Sequence, residues 1–155
     1  MRYWRNRHRL ERRTPWSIGM TSQDILISRD LAADETIAGL SAVLSVEPKE
    51  VVLVADWDEF PIARGAPVIC HRTHLGGHYP LILHLYINAL AIKPSNDLEA
   101  VRHLCKIWQC DCLMSDDSLN PYLMLHVSRT GEASTVSVDV EKLDNLGEYW
   151  LSPHE

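Results

Sequence analysis

Val51-Val52-Leu53-Val54-Ala55 runs directly into Asp56-Trp57-Asp58-Glu59. Five apolar residues in a row, three of them β-branched, stand between Pro48 and Pro61. The run is too short for an amphipathic helix and reads as a strand buried on both faces. Its carboxyl end opens into three acids around a tryptophan, so one stretch carries both the strongest strand signal and the densest local charge.

Upstream, Asp24 to Asp30 reads as the first strand, centred on Ile25 to Ser28. Asp34-Glu35 favours a helix start, and Ile37, Leu40, Val43 and Leu44 form an apolar stripe on a helix ending near Val46. Glu47-Pro48-Lys49-Glu50 stops it. Strand, helix and strand within about 30 residues predict a parallel β-α-β unit. Downstream, Val68 to His74 and Tyr79 to Ile87 flank Gly76-Gly77, the pair favoured where both turn residues need positive φ. That turn pairs 74 with 79, 72 with 81 and 70 with 83. One face then carries Val68, Cys70, Leu81, Leu83 and Leu85 as core, and the other, partly wet, carries His71, Thr73, His78, Ile82, His84 and Tyr86.

A second helix is signalled by Asn96 as cap, Glu99 three residues on, and Leu98, Val101, Leu104, Cys105 and Trp108 on one face. It leads into a strand at 111–115, a turn at 116–121, and a hairpin of Tyr122 to Val127 with Thr135 to Val140. The tail from Leu143 on is expected to lie against the body. The chain is therefore expected to be α/β, with α+β as the alternative: one mixed sheet of six to seven strands and two helices. The halves share a plan of helix, strand, acidic turn, proline and hairpin, with acids at 56–59 and 116–117 and prolines at 61 and 121. Two pseudo-repeated α-β-β-β halves would bring both acidic turns to one edge of the sheet.

The chain has 155 residues, the size of one domain able to bury a core unaided. Residues 1–22 read as a basic extension and 23–155 as a single globular domain. Residues 1–13 hold six Arg against Glu11, a balance of +5, and the other 142 residues hold nine basic and twenty acidic groups, a balance of −11. In a helix, Arg2, Arg5, Arg9 and Arg12 would share a face suited to an anionic surface; a tail folded on the acidic body, or an upstream extension of a frame starting at Met20, fits better. A body this acidic repels nucleic acid and steers towards a basic partner. Four cysteines without an apolar export signal predict reduced thiols and a cytoplasmic setting. The longest apolar run, Tyr79 to Ile92, is too short to span a bilayer, so no membrane partner is expected.

No residue pattern calls for a cofactor. His71, His74, His78 and His84 lie beside Cys70, but Cys70 and His74 are four strand residues apart, about 13 Å, and cannot share an ion. His71 and His84 are diagonal neighbours in the expected register and would chelate only with a third ligand. Cys110-Asp111-Cys112 lacks the spacing of redox or zinc motifs and a partner pair. There is no nucleophile elbow and no phosphate-binding glycine loop.

The acids remain. Asp56, Asp58 and Glu59 with Asp116 and Asp117 would serve acid-base work or hold a divalent ion, yet only Arg64 and Arg129 are nearby to receive a phosphate. With Trp57 and Phe60 as aromatic anchors they make a patch for a basic protein surface. The expected partner-binding residues are therefore Asp56, Trp57, Asp58, Glu59, Asp116 and Asp117. In size, charge and absence of catalytic motifs the chain resembles immunity proteins that neutralise secreted bacterial toxins. That resemblance implies a non-catalytic inhibitor of a basic protein, with homodimerisation left open. The alternatives are a small metal-dependent hydrolase using the acidic turns with His71 and His84, and a regulatory domain binding a small molecule between the halves.

Overall fold

Val51–Val54 does form a strand, and six others join it in one mixed sheet ordered β2-β3-β4-β1-β5-β6-β7 in the computed structural model. The structure describes residues 20–59, 65–88 and 97–153, without the side chains of Met20, Thr21 and Trp57. In chain order these hold β1 (Met20–Ile27), α1 (Ala33–Leu44), β2 (Val51–Val54), β3 (Val68–His74), β4 (Leu81–Asn88), α2 (Asp97–Trp108), β5 (Cys112–Ser115), β6 (Leu123–Val127), β7 (Ala133–Ser137) and α3 (Val140–Leu146), with 3-10 turns at Pro48–Glu50 and Trp57–Glu59. The fold is α/β. Among the described residues three helices form where two were expected: Asp139 accepts from the Lys142 N–H at 3.0 Å and caps α3, and Gly147, at φ 66°, ends it. Val140, expected to continue a strand, is instead the first residue of that helix.

Strand directions follow from the pairings. β2 lies parallel to β3, and every other neighbouring pair is antiparallel. β1, β2, β3 and β6 therefore point one way and β4, β5 and β7 the other. β1 and β2 are parallel, as the strand-helix-strand reading requires, but β3 and β4 lie between them. β2 thus forms an edge, but it is covered on both faces as expected at Val51 and Val54, which point to opposite sides and are buried, while Val52 and Leu53 are only partly buried.

The β3–β4 hairpin is shifted two residues from its expected register: Val68 faces Ile87, Cys70 faces Leu85, and His74 faces Leu81. A six-residue loop, 75–80, replaces the two-residue Gly76-Gly77 turn. Leu75 N–H donates to Pro80 O at 2.7 Å, and the loop is tied to the carboxyl tail by His78 N–H to Tyr149 O at 3.2 Å. An even shift preserves which side chains share a face. Val68, Cys70, Leu81, Leu83 and Leu85 are core as expected, together with Ile25 and Ile27 of β1.

That core lies between one sheet face and the pair α1 and α2. Val101, Leu104, Cys105 and Trp108 supply the buried stripe of α2, and Leu40 is the buried centre of α1. The helices approach closely because Gly39 has no side chain: a Cβ there would lie 2.3 Å from Trp108 Nε1. The same indole N–H donates to Glu35 O at 2.9 Å, and Arg29 bridges Trp108 O and the Glu35 carboxylate. On the other face, Leu143 of α3 and Tyr149 pack on Leu26, Ile82, Leu113 and Met124. The expected cap Asn96 and residues 1–19 lie outside the described residues.

Candidate functional site

The acidic turn after β2 forms by local self-bonding. Asp56 accepts from the Asp58 N–H at 3.3 Å, Glu59 accepts from the Ala55 N–H at 3.2 Å, and Glu59 N–H donates to Asp56 O at 3.1 Å. Short polar side chains that bond the backbone two to four residues away favour such turns over further strand. Asp56, Asp58 and Glu59 are exposed, and none of them forms an ion pair with a described residue. The Trp57 backbone belongs to the turn, while its side chain, Phe60 and Arg64 lie outside the described residues.

Asp116 and Asp117 form a separate turn after β5. Asp116 accepts from the Ser118 N–H at 3.0 Å, and Asp117 adopts φ 63°, a left-handed conformation that Asp tolerates. The two acidic turns do not come together. β2 and β5 run in opposite directions, so their carboxyl ends lie at opposite ends of the sheet, four strand positions apart or about 19 Å sideways. The order α-β-β-β does occur twice after β1, but β2 docks at an edge beside a parallel neighbour and β5 docks at the centre beside an antiparallel one. The common edge expected from a repeat therefore does not form.

With the hairpin shifted, His71 and His84 sit directly opposite each other, their rings stacked at 5.3 Å between centroids and 28° between planes. They are 7% and 3% exposed, so this part of the second face is dry where it was expected to be partly wet. Asp24, the β1 partner of His84, lies 2.9 Å from His84 Nδ1. A carboxylate only accepts, so Nδ1 carries a proton. Val54, His71, His84 and Asp24 thus make one row across four strands. In the sequence Asp24 marks only the start of the first strand; the β1–β4 register places it on the histidine.

A third polar group gathers where β1 ends and β5 begins. Asp111 accepts from the Arg129 N–H at 2.9 Å and lies 3.6 Å from His126 Nε2, and its own N–H donates to Ser28 Oγ at 2.9 Å. These bonds close the β6–β7 turn onto the sheet. Beneath it, Cys105, Cys110 and Cys112 are all buried. Hydrogen bonding from Cys112 lowers the Cys110 thiol, whereas bonds to Cys105 and Cys110, with burial, hold Cys112 well above its ordinary value. Burial, opposed by the charge of Arg72, pushes Cys70 up to about 12.

Among the described residues no three His, Cys, Asp or Glu side chains converge so as to hold a metal ion. The described residues carry nineteen acids and seven lysines and arginines. Four of the seven are spent on neighbours: Arg29 on Glu35, Lys49 on Glu47, Arg102 on Glu99 and Arg129 on Asp111. What remains is a negative surface whose densest exposed point is the 55–59 turn. No helix among the described residues is long and apolar enough to cross a membrane. Comparison with known protein families, curated proteins and solved structures finds no match for this chain.

Proposed function

We propose that this chain is a non-catalytic binding protein whose acidic surface engages a basic protein, in the manner of an immunity protein that inhibits a toxin. The observation that carries this reading is the turn at Asp56, Asp58 and Glu59: three exposed carboxylates at a sheet edge with no described cation paired to them. Unpaired surface charge of one sign accelerates encounter with an oppositely charged protein and selects against acidic ones. An enzymatic reading draws less support. The buried His71 and His84 are engaged with each other and with Asp24.

The test is genetic and then physical. The product of the gene immediately upstream is expressed with and without this chain, and calorimetry follows on the purified pair at about 50 and 300 mM salt. Relief of growth arrest, with affinity falling as salt rises, supports the proposal. A non-toxic upstream product, or arrest that this chain does not relieve, contradicts it.

A further inference from the structure

We propose that the outer edge of β2 receives an added strand from the partner, and that this strand is an extended segment with lysine or arginine at both ends. The inference rests on the basic partner proposed above and supplies the mode of binding. A sheet edge is a template for another chain, and folded proteins usually blunt it with prolines, lysines, bulges or a covering segment. The β7 edge is managed in this way: Leu151 of the tail bridges Val138, Ser152 N–H donates to Ser137 O at 2.9 Å, and the exposed strand positions are Ser134 and Thr135.

β2 is short, but among the described residues no strand or tail segment pairs with its outer side. Its sequence is Val-Val-Leu-Val, without proline, charge or bulge. Val51 gives its N–H to Pro48 O; beyond that, among the described residues, the strand hydrogen-bonds only to β3. Every second residue of a strand turns its N–H and C=O away from its neighbour, so such groups, the Val51 N–H excepted, stand along about 13 Å of this edge. Strand addition satisfies such groups with main-chain bonds, and flanking side chains supply selectivity.

Charge identifies the occupant. Glu47, Lys49 and Glu50 stand before the strand with a balance of −1, and Asp56, Asp58 and Glu59 stand after it with −3. From Glu50 to Asp56 an extended chain covers about 20 Å, so a guest with basic residues six positions apart meets acids at both ends. A second copy of this chain is disfavoured on the same grounds. Antiparallel β2–β2 pairing sets the −3 turn beside the partner copy's −1 turn, and parallel pairing sets −3 beside −3.

The probe is the peptide Lys-Lys-Thr-Val-Thr-Val-Thr-Lys-Lys, added to the isotope-labelled full chain and followed by amide NMR and hydrogen exchange. Two controls accompany it: the same peptide with alternate backbone nitrogens methylated, and the version with Glu at both ends. The proposal expects saturable shifts at Val51–Val54 and exchange there slowed about tenfold or more by the lysine peptide. The methylated peptide loses this protection and the Glu-ended peptide does not bind. Shifts confined to 56–59 with unchanged β2 exchange, or equal binding by the methylated peptide, overturn strand addition while leaving the acidic-surface reading in place. A complete lack of lysine-peptide binding also overturns it, and the growth test judges the proposed function separately. Sedimentation of the free chain as a dimer dissolved by β2 substitutions would assign the edge to a second copy and overturn the proposal.

Discussion

Gly39→Ala is expected to destabilise the protein, although alanine is the better helix former. The added Cβ would lie 2.3 Å from Trp108 Nε1, 2.5 Å from Cε2 and 2.8 Å from Cζ2. Those atoms belong to a ring that is 2% exposed and cannot swing into solvent. Relief therefore requires α1 and α2 to separate by about 1 Å, which costs about 1–3 kcal/mol as overpacking. It also stretches the indole bond to Glu35 O, worth about 1 kcal/mol. Against this, replacing glycine within a helix gains about 1 kcal/mol. The net loss is about 2 kcal/mol, or about 4–8 °C in Tm for a chain of this size. Urea unfolding followed by tryptophan fluorescence and far-UV dichroism measures it. In a Trp108→Leu background the clash is gone, and Gly39→Ala should then be neutral or stabilising. A Gly39→Ala protein as stable as wild type, or the same loss in both backgrounds, would refute this account of the helix contact.

Other parts of the fold give further expectations. Glu35 titrates below the usual carboxylate value of 4.5 because it is bonded to Arg29 and to the Ala32 N–H. A depressed folded pKa stabilises above the unfolded value and loses that contribution as pH falls through the folded one, so Glu35→Gln should flatten the acid limb of a urea-midpoint profile below about pH 4.5. An unchanged limb would remove the pair from the stability account. Nitrogen-detected NMR should find His84 protonated at Nδ1, and Asp24→Ala should cost about 1–3 kcal/mol by stripping a buried donor of its acceptor; a bare Nδ1 contradicts the pairing. All four cysteines are buried, with Cys70 and Cys112 held up, so a thiol reagent at about pH 8 should label them only as the protein unfolds. If one thiol reacts early in the native protein it should be Cys110, whose pKa is lowered; rapid labelling of Cys70 would be inconsistent with its burial.

Local pattern carried most of the element assignments and little of their arrangement. The stripes of α1 and α2 and the alternation of the β3–β4 hairpin were legible because period and burial agree. The place of β2 was not. An apolar run of four or five residues looks alike at an edge and in a centre, and what decides is that β1 pairs with β4, a contact more than fifty residues long in sequence. Gly76-Gly77 suggested a tight turn; the real loop is set by Tyr149 and Trp150, which bond or pack against His78 from seventy residues away. α3 was marked by Asp139 and Gly147, a cap and a stop that the alternation of Val136, Val138 and Val140 concealed. Within the candidate site, the exposure of the 56–59 acids follows from their residue types. The separation of 116–117 from them and the Asp24–His84 pairing depend on strand direction and register, which no local signal encodes.

The claim that the acidic turn is a binding surface is tested most directly by Asp56→Asn/Asp58→Asn/Glu59→Gln against the upstream gene product, with affinity measured by calorimetry across a salt series. The three carboxylates are exposed and contribute no described ion pair, and the amides replacing Asp56 and Glu59 keep an oxygen that accepts from the Asp58 and Ala55 N–H, so the triple variant should unfold within about 0.5 kcal/mol of wild type. It should bind at least about tenfold more weakly at low salt and show a shallower salt dependence. Equal affinity and an equal salt slope in the variant and the wild type would contradict the account.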